Sequence, residues 1–388
     1  RSSCAGRLGS HRCRSSCSSA AILSCTAAPC GVLTQDLRSD ALAAGTRPLL
    51  SLQSLAVGEP VALCVARTRA AAEAMADAVS VDFQPLPAVI DVDQALAANA
   101  PRVWPDVPGN RAFVWSLGDA AAVAAAFRTA PVVVETTLKS QRLIVCPMEP
   151  RAARARYDAG TNTFHLHCGT QGMTILRDQV AGALAVPSAQ VVVTSHDVGG
   201  AFGIKNTAYP EYIALLHAAR VTRHPVHWAA SRSEAFLADC QARDSRMDGR
   251  MALDGAGHIL AVEAKARVDL GAYVAAQGYF IACANFARTM PGPYRIPLLF
   301  SEVTCALTNT MSTAPYRGAG RPEGAYLLER LIEEAGARLG LDPVEVRRRN
   351  LILPADLPYR TQAGTTYDSG DLPKVLERAL ALADWDGR

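Results

Sequence analysis

The sequence has little of what membrane proteins and nucleic-acid-binding proteins need. Its 388 residues contain no uninterrupted run of about 18 apolar side chains, the length that a membrane-spanning helix requires. The formal net charge is only +3, and no block of Lys and Arg alternates with aromatic residues to follow a phosphate backbone. These absences argue against a membrane span and against nucleic acid as a partner. The composition predicts a soluble protein of more than one domain that acts on a small molecule.

Two common phosphate-binding motifs are also absent. The stretch "VGGAFGIKN", residues 198–206, is not a Walker A loop, because Lys205 does not directly follow a glycine and Asn206 comes after it. No G-x-G-x-x-G is followed by an acidic residue about twenty positions on, as a dinucleotide site requires. A nucleotide-binding oxidoreductase is therefore a weak alternative. The glycines still indicate a tight turn or a close approach to a ligand.

The eleven cysteines are distributed unevenly. Five of them lie in residues 1–30, a segment without any acidic or aromatic residue, which predicts a disordered or non-native leader. Their spacing fits no zinc template, although a metal or disulfide cluster there stays an alternative. The other six are scattered, lack ferredoxin spacing and lie in apolar contexts. Such isolated thiols are typical of a reduced compartment, so we expect a cytoplasmic protein.

The first ordered part is expected to be a small α+β unit over residues 31–110. Within it, residues 57–91 have the pattern strand, Ala-rich helix, strand, because alternating apolar residues precede a helical stretch. The proline-rich segment 84–110 has no clean period and is interpreted as a linker that wraps between domains. A larger domain is predicted to begin at Arg111 and to include the rest of the chain.

That larger region alternates strands and helices. Asp119 is placed to cap a helix, "VVVETTL" and "TFHLHC" are predicted strands, and an amphipathic helix follows Gln171. The strand "QVVVT" then leads into the glycine loop. Because ligands bind beyond the carboxyl ends of strands in α/β layers, Gln171 and Gly200 are expected at neighbouring strand ends.

Two further segments have clear patterns. Residues 246–273 are predicted to form antiparallel strands connected at "DGAG". A second glycine-rich loop, Arg317 to Gly320, precedes a long amphipathic helix, and a loop of this kind exposes backbone N–H groups to anions. Asp342 and Pro343 are predicted to start a further helix.

Three histidines need a separate interpretation. His165 and His167 point the same way on one predicted strand, and His196 precedes the glycine loop. Two histidines without a third ligand are typical of a polar sheet face rather than a metal site. We therefore assign them no catalytic role.

Several of these motifs together resemble a known family. They are "VGEPVA" at 57–62, "MEPRAA" at 148–153, "TQGMTILRDQ" at 170–179, "VGGAFGIKN" at 198–206 and "APYRGAGRPEG" at 314–324. In this order the chain from residue 31 to 388 resembles the molybdenum-binding large subunit of the xanthine dehydrogenase, aldehyde oxidase and carbon monoxide dehydrogenase family. The resemblance implies an α+β fold, with a partial α/β hammerhead domain at 31–110 and the first molybdenum-cofactor-binding α/β domain at 111–388.

The resemblance also implies roles for individual residues. Gln171 corresponds to the family glutamine that hydrogen-bonds an oxo ligand of molybdenum. The turn Gly200, Ala201, Phe202 and Gly203 corresponds to the loop whose main-chain amides approach the oxygen ligand of the metal. Arg317 and Gly318 correspond to the loop over metal and pterin. None of these residues is a direct metal ligand, and the structural alternative is a tight turn beside a surface arginine.

The chemistry implied by the resemblance is hydroxylation of a carbon with water as the oxygen source. The family cofactor is molybdenum-molybdopterin, here expected in its cytosine dinucleotide form, with iron–sulfur clusters and FAD on partner subunits. The family's glutamate base corresponds to a position beyond residue 388, so no catalytic residue is assigned. A missing C-terminal half of the large subunit is thus an expected partner, and the isolated chain is expected to be inactive.

The expected substrate pocket differs from that of the purine-oxidising members of the family at several residues. Asn206 and Ala319 stand where purine-oxidising members have a glutamate and a phenylalanine, and Asn285 lies near the position of their substrate arginine. Gly318 replaces the cysteine that holds copper in carbon monoxide dehydrogenases. An aldehyde or an N-heteroaromatic substrate remains. The alternative from another class is a non-catalytic truncated fragment or a subunit-binding remnant.

Overall fold

The computed structural model describes residues 54–275 and 277–387, together with the backbone of 19–25 and 31–33. Within residues 1–30, the described residues Ser19–Cys25 form a strand, and the disordered or non-native leader stays a prediction. The rest of that leader, residues 1–18 and 26–30, lies outside the described residues. Among the described helices, none combines the length and the apolar character needed to span a bilayer.

Strands and helices alternate along most of the described chain. The strands are β1 Ser19–Cys25, β2 Gly31–Leu33, β3 Pro60–Ala66, β4 Arg111–Gly118, β5 Val132–Ser140, β6 Ala152–Asp158, β7 Thr163–Cys168, β8 Val191–Thr194, β9 Val226–Ala229, β10 Ser245–Leu253, β11 Ile259–Asp269, β12 Leu298–Ala306, β13 Tyr359–Arg360 and β14 Thr366–Tyr367. The helices are α1 Arg69–Asp77, α2 Val92–Ala95, α3 Ala120–Thr129, α4 Met173–Leu184, α5 Pro210–Thr222, α6 Arg232–Ala238, α7 Gly278–Phe280, α8 Phe286–Thr289, α9 Arg321–Leu339, α10 Pro343–Asn350 and α11 Leu372–Leu382. A π-helical turn, Ile281–Asn285, connects α7 to α8.

The first sheet has seven strands in the order β2-β3-β1-β9-β6-β7-β8. Its strands β7 and β8 are parallel neighbours, so their carboxyl ends meet at one edge of the sheet. In β7 the side chains of Phe164, Leu166 and Cys168 are buried and alternate with less buried ones, as a strand with one covered face requires. Helices α4 and α5 supply the apolar side chains that cover this face.

The second sheet has five strands in the order β4-β12-β11-β10-β5. Strands β10 and β11 form the predicted antiparallel pair. Helix α9 packs on this sheet through Leu327, Leu328 and Leu331, which are buried as the apolar stripe predicts. A Cβ at Gly249 would come within 2.8 Å of Leu327 Cδ1, so the glycine lets the helix lie close to β10.

Helix starts agree with the predicted caps. Asp119 caps α3 by accepting a hydrogen bond from the N–H of Ala122 at 2.9 Å. Asp342 caps α10, whose first residue is Pro343, as predicted. Both caps are local, because a short polar side chain bonds to a free N–H two or three residues on.

One predicted strand is wrong. The segment that follows α1, residues 79–90, runs without regular secondary structure, although a strand was expected before residue 91. Asn309 holds this backbone instead. Its side-chain Oδ1 accepts a hydrogen bond from the N–H of Val89, and its backbone N–H donates one to the carbonyl oxygen of Val89. Prolines 85 and 87 remove two N–H donors, so the segment cannot supply a full ladder.

Strand β3, in the predicted hammerhead region, belongs to the first sheet together with β6 and β7, and helix α1 of the same region lies against β3. The mixed α+β class is therefore as predicted, and the division at residues 110 and 111 stays a prediction.

Candidate functional site

Two glycine loops meet at the end of the first sheet. The first loop is residues 198–206, directly after β8, and the second is residues 314–320, directly before α9. The N–H of Arg317 donates a hydrogen bond to the carbonyl oxygen of Phe202 at 2.9 Å. Gly203 has φ +119°, and a Cβ added there would overlap with the carbonyl oxygen of Pro315. Glycine is therefore required for the close approach of the two loops.

Gln171 is held against the first loop from two sides. It follows β7, whose carboxyl end lies beside that of β8. Its side-chain oxygen Oε1 accepts a hydrogen bond from the N–H of Gly203 at 2.9 Å, and its own N–H donates to the carbonyl of Lys205 at 3.1 Å. The structure thus brings Gln171 and the glycine loop together at neighbouring strand ends.

The first loop has backbone features that are typical of ligand sites. Phe202 has φ +54°, a left-handed conformation that is uncommon for a bulky residue, and its side chain is exposed. Among the described residues, the N–H groups of Ala201 and Phe202 have no hydrogen-bond partner. Two consecutive free amides can therefore bind an oxygen acceptor without rearrangement of the loop.

The second loop contributes a cation and a further amide. Arg317 is exposed, and within the described part of the chain its guanidinium makes no hydrogen bond or ion pair. Gly318 and Ala319 have φ +93° and φ +50°, and they lead into the 19-residue helix α9, which has no side-chain cap at Gly320. The helix dipole and the arginine give this loop a positive potential that suits a phosphate or another anion.

The predicted pocket residues lie at the two loops. Asn206 ends the first loop, and its Nδ2 donates a hydrogen bond to Gln277 Oε1 at 3.2 Å. Asn285 lies in the π-helical turn against the second loop, where its Cβ is 3.1 Å from the position that a Cβ on Gly320 would take. Ala319 is part of that loop. None of these three side chains is ionisable, so this part of the site is uncharged.

A recess of the described surface lies beside the first loop, with Glu149 and Asp197 in its lining. It has a volume of about 410 Å³ and opens on the first sheet, with Arg154, His167, His196 and His227 in its lining. The rings of His167 and His196 are 4.9 Å apart, and His167 Nδ1 is 3.0 Å from Thr194 Oγ1. No cluster of three metal-ligating side chains occurs among the described residues. His165 and His167 lie on β7 and His196 follows β8, and their interpretation as part of a polar sheet face stays a prediction.

Sequence reasoning missed two buried ion pairs beside the loops. The Lys205 side chain is 1% exposed, and its Nζ is 3.2 Å from Glu149 Oε2. Arg151 is fully buried and makes a bidentate pair with Glu211, at 3.0 Å for each bond, and a further bond to Asp239 at 2.5 Å. The available signal was "MEPRAA", where Glu149 and Arg151 enter a strand that is otherwise apolar on one face.

The Arg151 cluster perturbs nearby acids. Burial raises the pKa of Asp239 above its usual range, and Arg151 partly offsets this effect. Burial, together with the charge of Glu211, raises the pKa of Glu234 to about 7. The guanidinium of Arg151 also lies over the Tyr209 ring, 3.7 Å from its centroid. This cluster joins β6 to helices α5 and α6 and faces no opening, so its role is structural.

Comparisons with known proteins identify the family. Residues 103–351 match the family model described as the molybdopterin cofactor-binding domain. The chain is 32% identical over 341 residues to the carbon monoxide dehydrogenase large chain of Hydrogenophaga pseudoflava, covering 84% of this chain and 42% of that protein. It is 30% identical to the gamma subunit of the 6-hydroxypseudooxynicotine dehydrogenase complex of Paenarthrobacter nicotinovorans, covering 88% and 43%.

Solved structures give the same result. The structure of quinoline 2-oxidoreductase from Pseudomonas putida 86 superposes with a TM-score of 0.82 at 30% identity, covering 95% of this chain and 45% of that chain. Carbon monoxide dehydrogenase from Oligotropha carboxidovorans gives a TM-score of 0.85 at 28% identity, covering 92% and 47%. The chain therefore spans less than half the length of these relatives. Since the family model matches more than half of the chain, the protein belongs to the family of molybdenum-binding large subunits that contains the xanthine, aldehyde and carbon monoxide oxidising enzymes.

Proposed function

We propose that this chain forms one wall of the molybdopterin site of a molybdenum hydroxylase. The observation that carries the proposal is the pair of hydrogen bonds that joins the three expected segments. Gly203 N–H donates to Gln171 Oε1, and Arg317 N–H donates to Phe202 O. The bonded residues are 32 and 115 residues apart in the chain, and Gln171, Phe202 and Arg317 are exposed to solvent where the segments meet.

The residues present fit such a cofactor. Molybdenum-molybdopterin, when bound, supplies a two-electron acceptor and activates water for hydroxylation. The Gln171 side-chain amide retains its donor Nε2, which would hold an oxo ligand. The free N–H groups of Ala201 and Phe202, between Gly200 and Gly203, would stabilise negative charge there without reorganisation.

The second loop would hold the remaining charge. The Arg317 guanidinium and the backbone of Gly318 would contact the metal and the pterin together with the first loop. Arg317 and Gly318 lie at the point where the two loops touch. Residues 198–206 and 314–320 contain no Asp or Glu, so neither loop places a negative side chain next to an anionic group. No residue of this chain is proposed as the glutamate base.

The substrate is proposed to be neutral. Asn206, Asn285 and Ala319 carry no charge and leave room where a glutamate, an arginine and a phenylalanine would select a purine. An aldehyde or an N-heteroaromatic ring fits a pocket of this kind, and relatives named for nicotine and quinoline support the second class. Gly318 provides no thiolate, so a copper-dependent reaction with carbon monoxide is not proposed.

The proposed assembly contains further chains. We infer the cytosine dinucleotide form of the cofactor, iron–sulfur and FAD partner subunits, the remainder of the large subunit and a cytoplasmic location. The designations "large chain" and "complex subunit gamma" of the relatives support a multi-subunit enzyme. Exposed apolar side chains on the segments around the site support a covering chain: Met148 is 91% exposed and Met173 is 48% exposed.

Metal analysis tests the proposal. The chain is co-expressed with the coding region for the remaining part of its large subunit, and the purified complex is assayed for molybdenum and for released pterin. We expect stoichiometric molybdenum in the wild type and a loss in Gln171→Ala. The matched control is Gln94→Ala, an exposed glutamine in α2, which should retain the metal. A stable complex without molybdenum would refute the proposal.

The alternative function is a non-catalytic one, and it rests on the same exposed apolar side chains. The exposed apolar side chains around the site also suit a non-catalytic fragment or subunit-binding remnant. In that case the same co-expression yields a stable complex that contains neither molybdenum nor pterin. The metal analysis therefore separates the two functions.

A further inference from the structure

A buried lysine lies directly beneath the first glycine loop. The Lys205 side chain is 1% exposed and points to Glu149, a residue between β5 and β6. Its Nζ donates hydrogen bonds to the main-chain oxygen of Glu149 at 3.0 Å and to the carboxylate Oε2 at 3.2 Å. A buried ammonium group is costly unless it is paired and hydrogen-bonded, so this pairing requires a fixed geometry.

The same carboxylate also holds the start of the loop. Glu149 Oε2 accepts a hydrogen bond from the N–H of Gly199, and the N–H of Glu149 donates to Gly199 O at 3.0 Å. A Cβ on Gly199 would come within 2.6 Å of Glu149 Cβ, so only glycine allows this contact. Glu149 is thus bonded to both Gly199 and Lys205, which lie on opposite sides of the turn.

The backbone of Lys205 connects this pair to Gln171. Its carbonyl oxygen accepts a hydrogen bond from the Gln171 N–H at 3.1 Å and another from the hydroxyl of Thr170 at 3.0 Å. The residue that bears the buried cation therefore also holds the backbone of the glutamine. Movement of Lys205 would release the turn and Gln171 together.

We propose that Glu149 and Lys205 are positioning residues that clamp the first glycine loop. The ion pair closes the loop at Gly199 and Lys205, keeps Gln171 beside Gly203 and presents the free amides of Ala201 and Phe202 in one arrangement. The clamp is a property of the chain itself. Only its purpose, the presentation of these groups to a molybdopterin, rests on the proposed function.

The alternative is that the pair contributes only to global stability. A clamp and a purely stabilising pair differ in where the protein opens, because local and global unfolding expose different amides to exchange. Amide hydrogen exchange resolved to single residues therefore separates them. The measurement is made on the full chain without added cofactor.

The first variant is Lys205→Met, which keeps the length of the side chain and removes the cation. We expect exchange at Gly199, Gln171 and Gly203 to accelerate about tenfold or more, because a hydrogen-bonded charge has been removed from the loop. Amides in helix α9 should exchange as in the wild type. The matched control is Lys265→Met, because Lys265 is 51% exposed on β11 and pairs with Glu263 on the same strand; it should change none of these rates.

A milder variant keeps the test valid if Lys205→Met does not fold. Glu149→Gln retains an oxygen acceptor for the Gly199 N–H and removes the charge opposite Lys205, and it should accelerate exchange at the same three amides. In the double variant the two effects should not add, because each single change breaks the same pair.

Two results would overturn the clamp. One is unchanged exchange at Gly199 and Gln171 in a folded variant, and the other is an equal acceleration in α9, which would mean a global effect only. Both are read without cofactor, so they leave the proposed function untouched. Conversely, absence of molybdenum from the complex would refute the proposed function and leave the clamp standing.

Discussion

At the scale of single residues, charge burial dominates the region around the site. Arg151 is fully buried and is balanced by Glu211 and Asp239, while Lys205 is balanced by Glu149. A charge that loses its partner in such surroundings keeps its desolvation penalty and gains nothing in return. Single substitutions here are therefore expected to have effects far above those of surface changes.

Arg151→Met is predicted to lower the free energy of unfolding by about 3–5 kcal/mol, because Glu211 and Asp239 would remain buried without their cation. The control is Arg154→Met, an exposed arginine three residues further on in β6, which is expected to cost less than about 0.5 kcal/mol. Urea unfolding at neutral pH measures both. Equal losses in the two variants would contradict the structural role of Arg151.

Glu234 is predicted to make stability depend on pH. Its pKa in the folded chain is about 7, above the ordinary 4.5, so the folded state holds its proton more tightly than the unfolded state. The contribution to stability is complete below the unfolded pKa and is lost as the pH rises from about 4.5 to about 7, in total about 3 kcal/mol. Glu234→Gln should flatten this part of the stability profile.

The check is urea unfolding of both proteins at several pH values between 4.5 and 8. Other groups titrate in this range, so the difference between wild type and Glu234→Gln is the quantity of interest. A difference that stays constant with pH would contradict the assignment.

At the scale of elements, local signals predicted more than long-range ones. The caps at Asp119 and Asp342 and the alternating strand β7 were predictable, because each depends on a few neighbouring residues. Helix α5 was not predicted. Every residue from Pro210 to Ala219 is buried, so the helix has no polar face and no apolar stripe for periodicity to reveal.

At the site, too, features that depend on neighbouring residues were predicted and features that depend on distant residues were not. The glycine loops and Gln171 were recognisable as motifs, and the approach of Gln171 to the first loop followed from the parallel strands β7 and β8. The partnership of Glu149 with Lys205 was not, because 56 residues separate them and only the folded sheet brings them together. No pattern in a single sequence encodes that distance.

Gly203→Ala is predicted to separate the two loops. The residue has φ +119°, and an added Cβ would overlap with Pro315 O, so the expected loss in free energy of unfolding is about 1–3 kcal/mol. Gly255→Ala is the control, since a Cβ there meets no atom within 4 Å. Denaturant unfolding compares them. Equal stability of the two variants would show that the loops approach less closely than described.

At the scale of the whole molecule, the site lies where the chain passes between its two sheets. Three connections run there: residues 141–151, 239–244 and 307–320. Arg142, in the first connection, bonds to Asp244 in the second and to the carbonyl of Met311 in the third. Asp269, at the end of β11, is a further partner at 3.0 Å. One side chain thus joins all three connections.

Arg142→Met is predicted to weaken the coupling between the sheets. Trp228 lies in the first sheet and Trp115 in the second, so tryptophan-to-phenylalanine variants that retain one of them report each sheet separately. In the wild type both probes should show one transition, and in Arg142→Met the two midpoints should separate. Arg128→Met, in the last turn of α3, is the control. Coincident midpoints in Arg142→Met would contradict the prediction.

The hydrogen bond from Arg317 to Phe202 is made by main-chain atoms at both ends. Exchanging the side chains at either position therefore leaves that join intact. Side chains at the two loops can therefore be substituted during evolution one at a time, while the main-chain contact between the loops is retained. Diversity of substrates on one architecture is the expected outcome of such an arrangement.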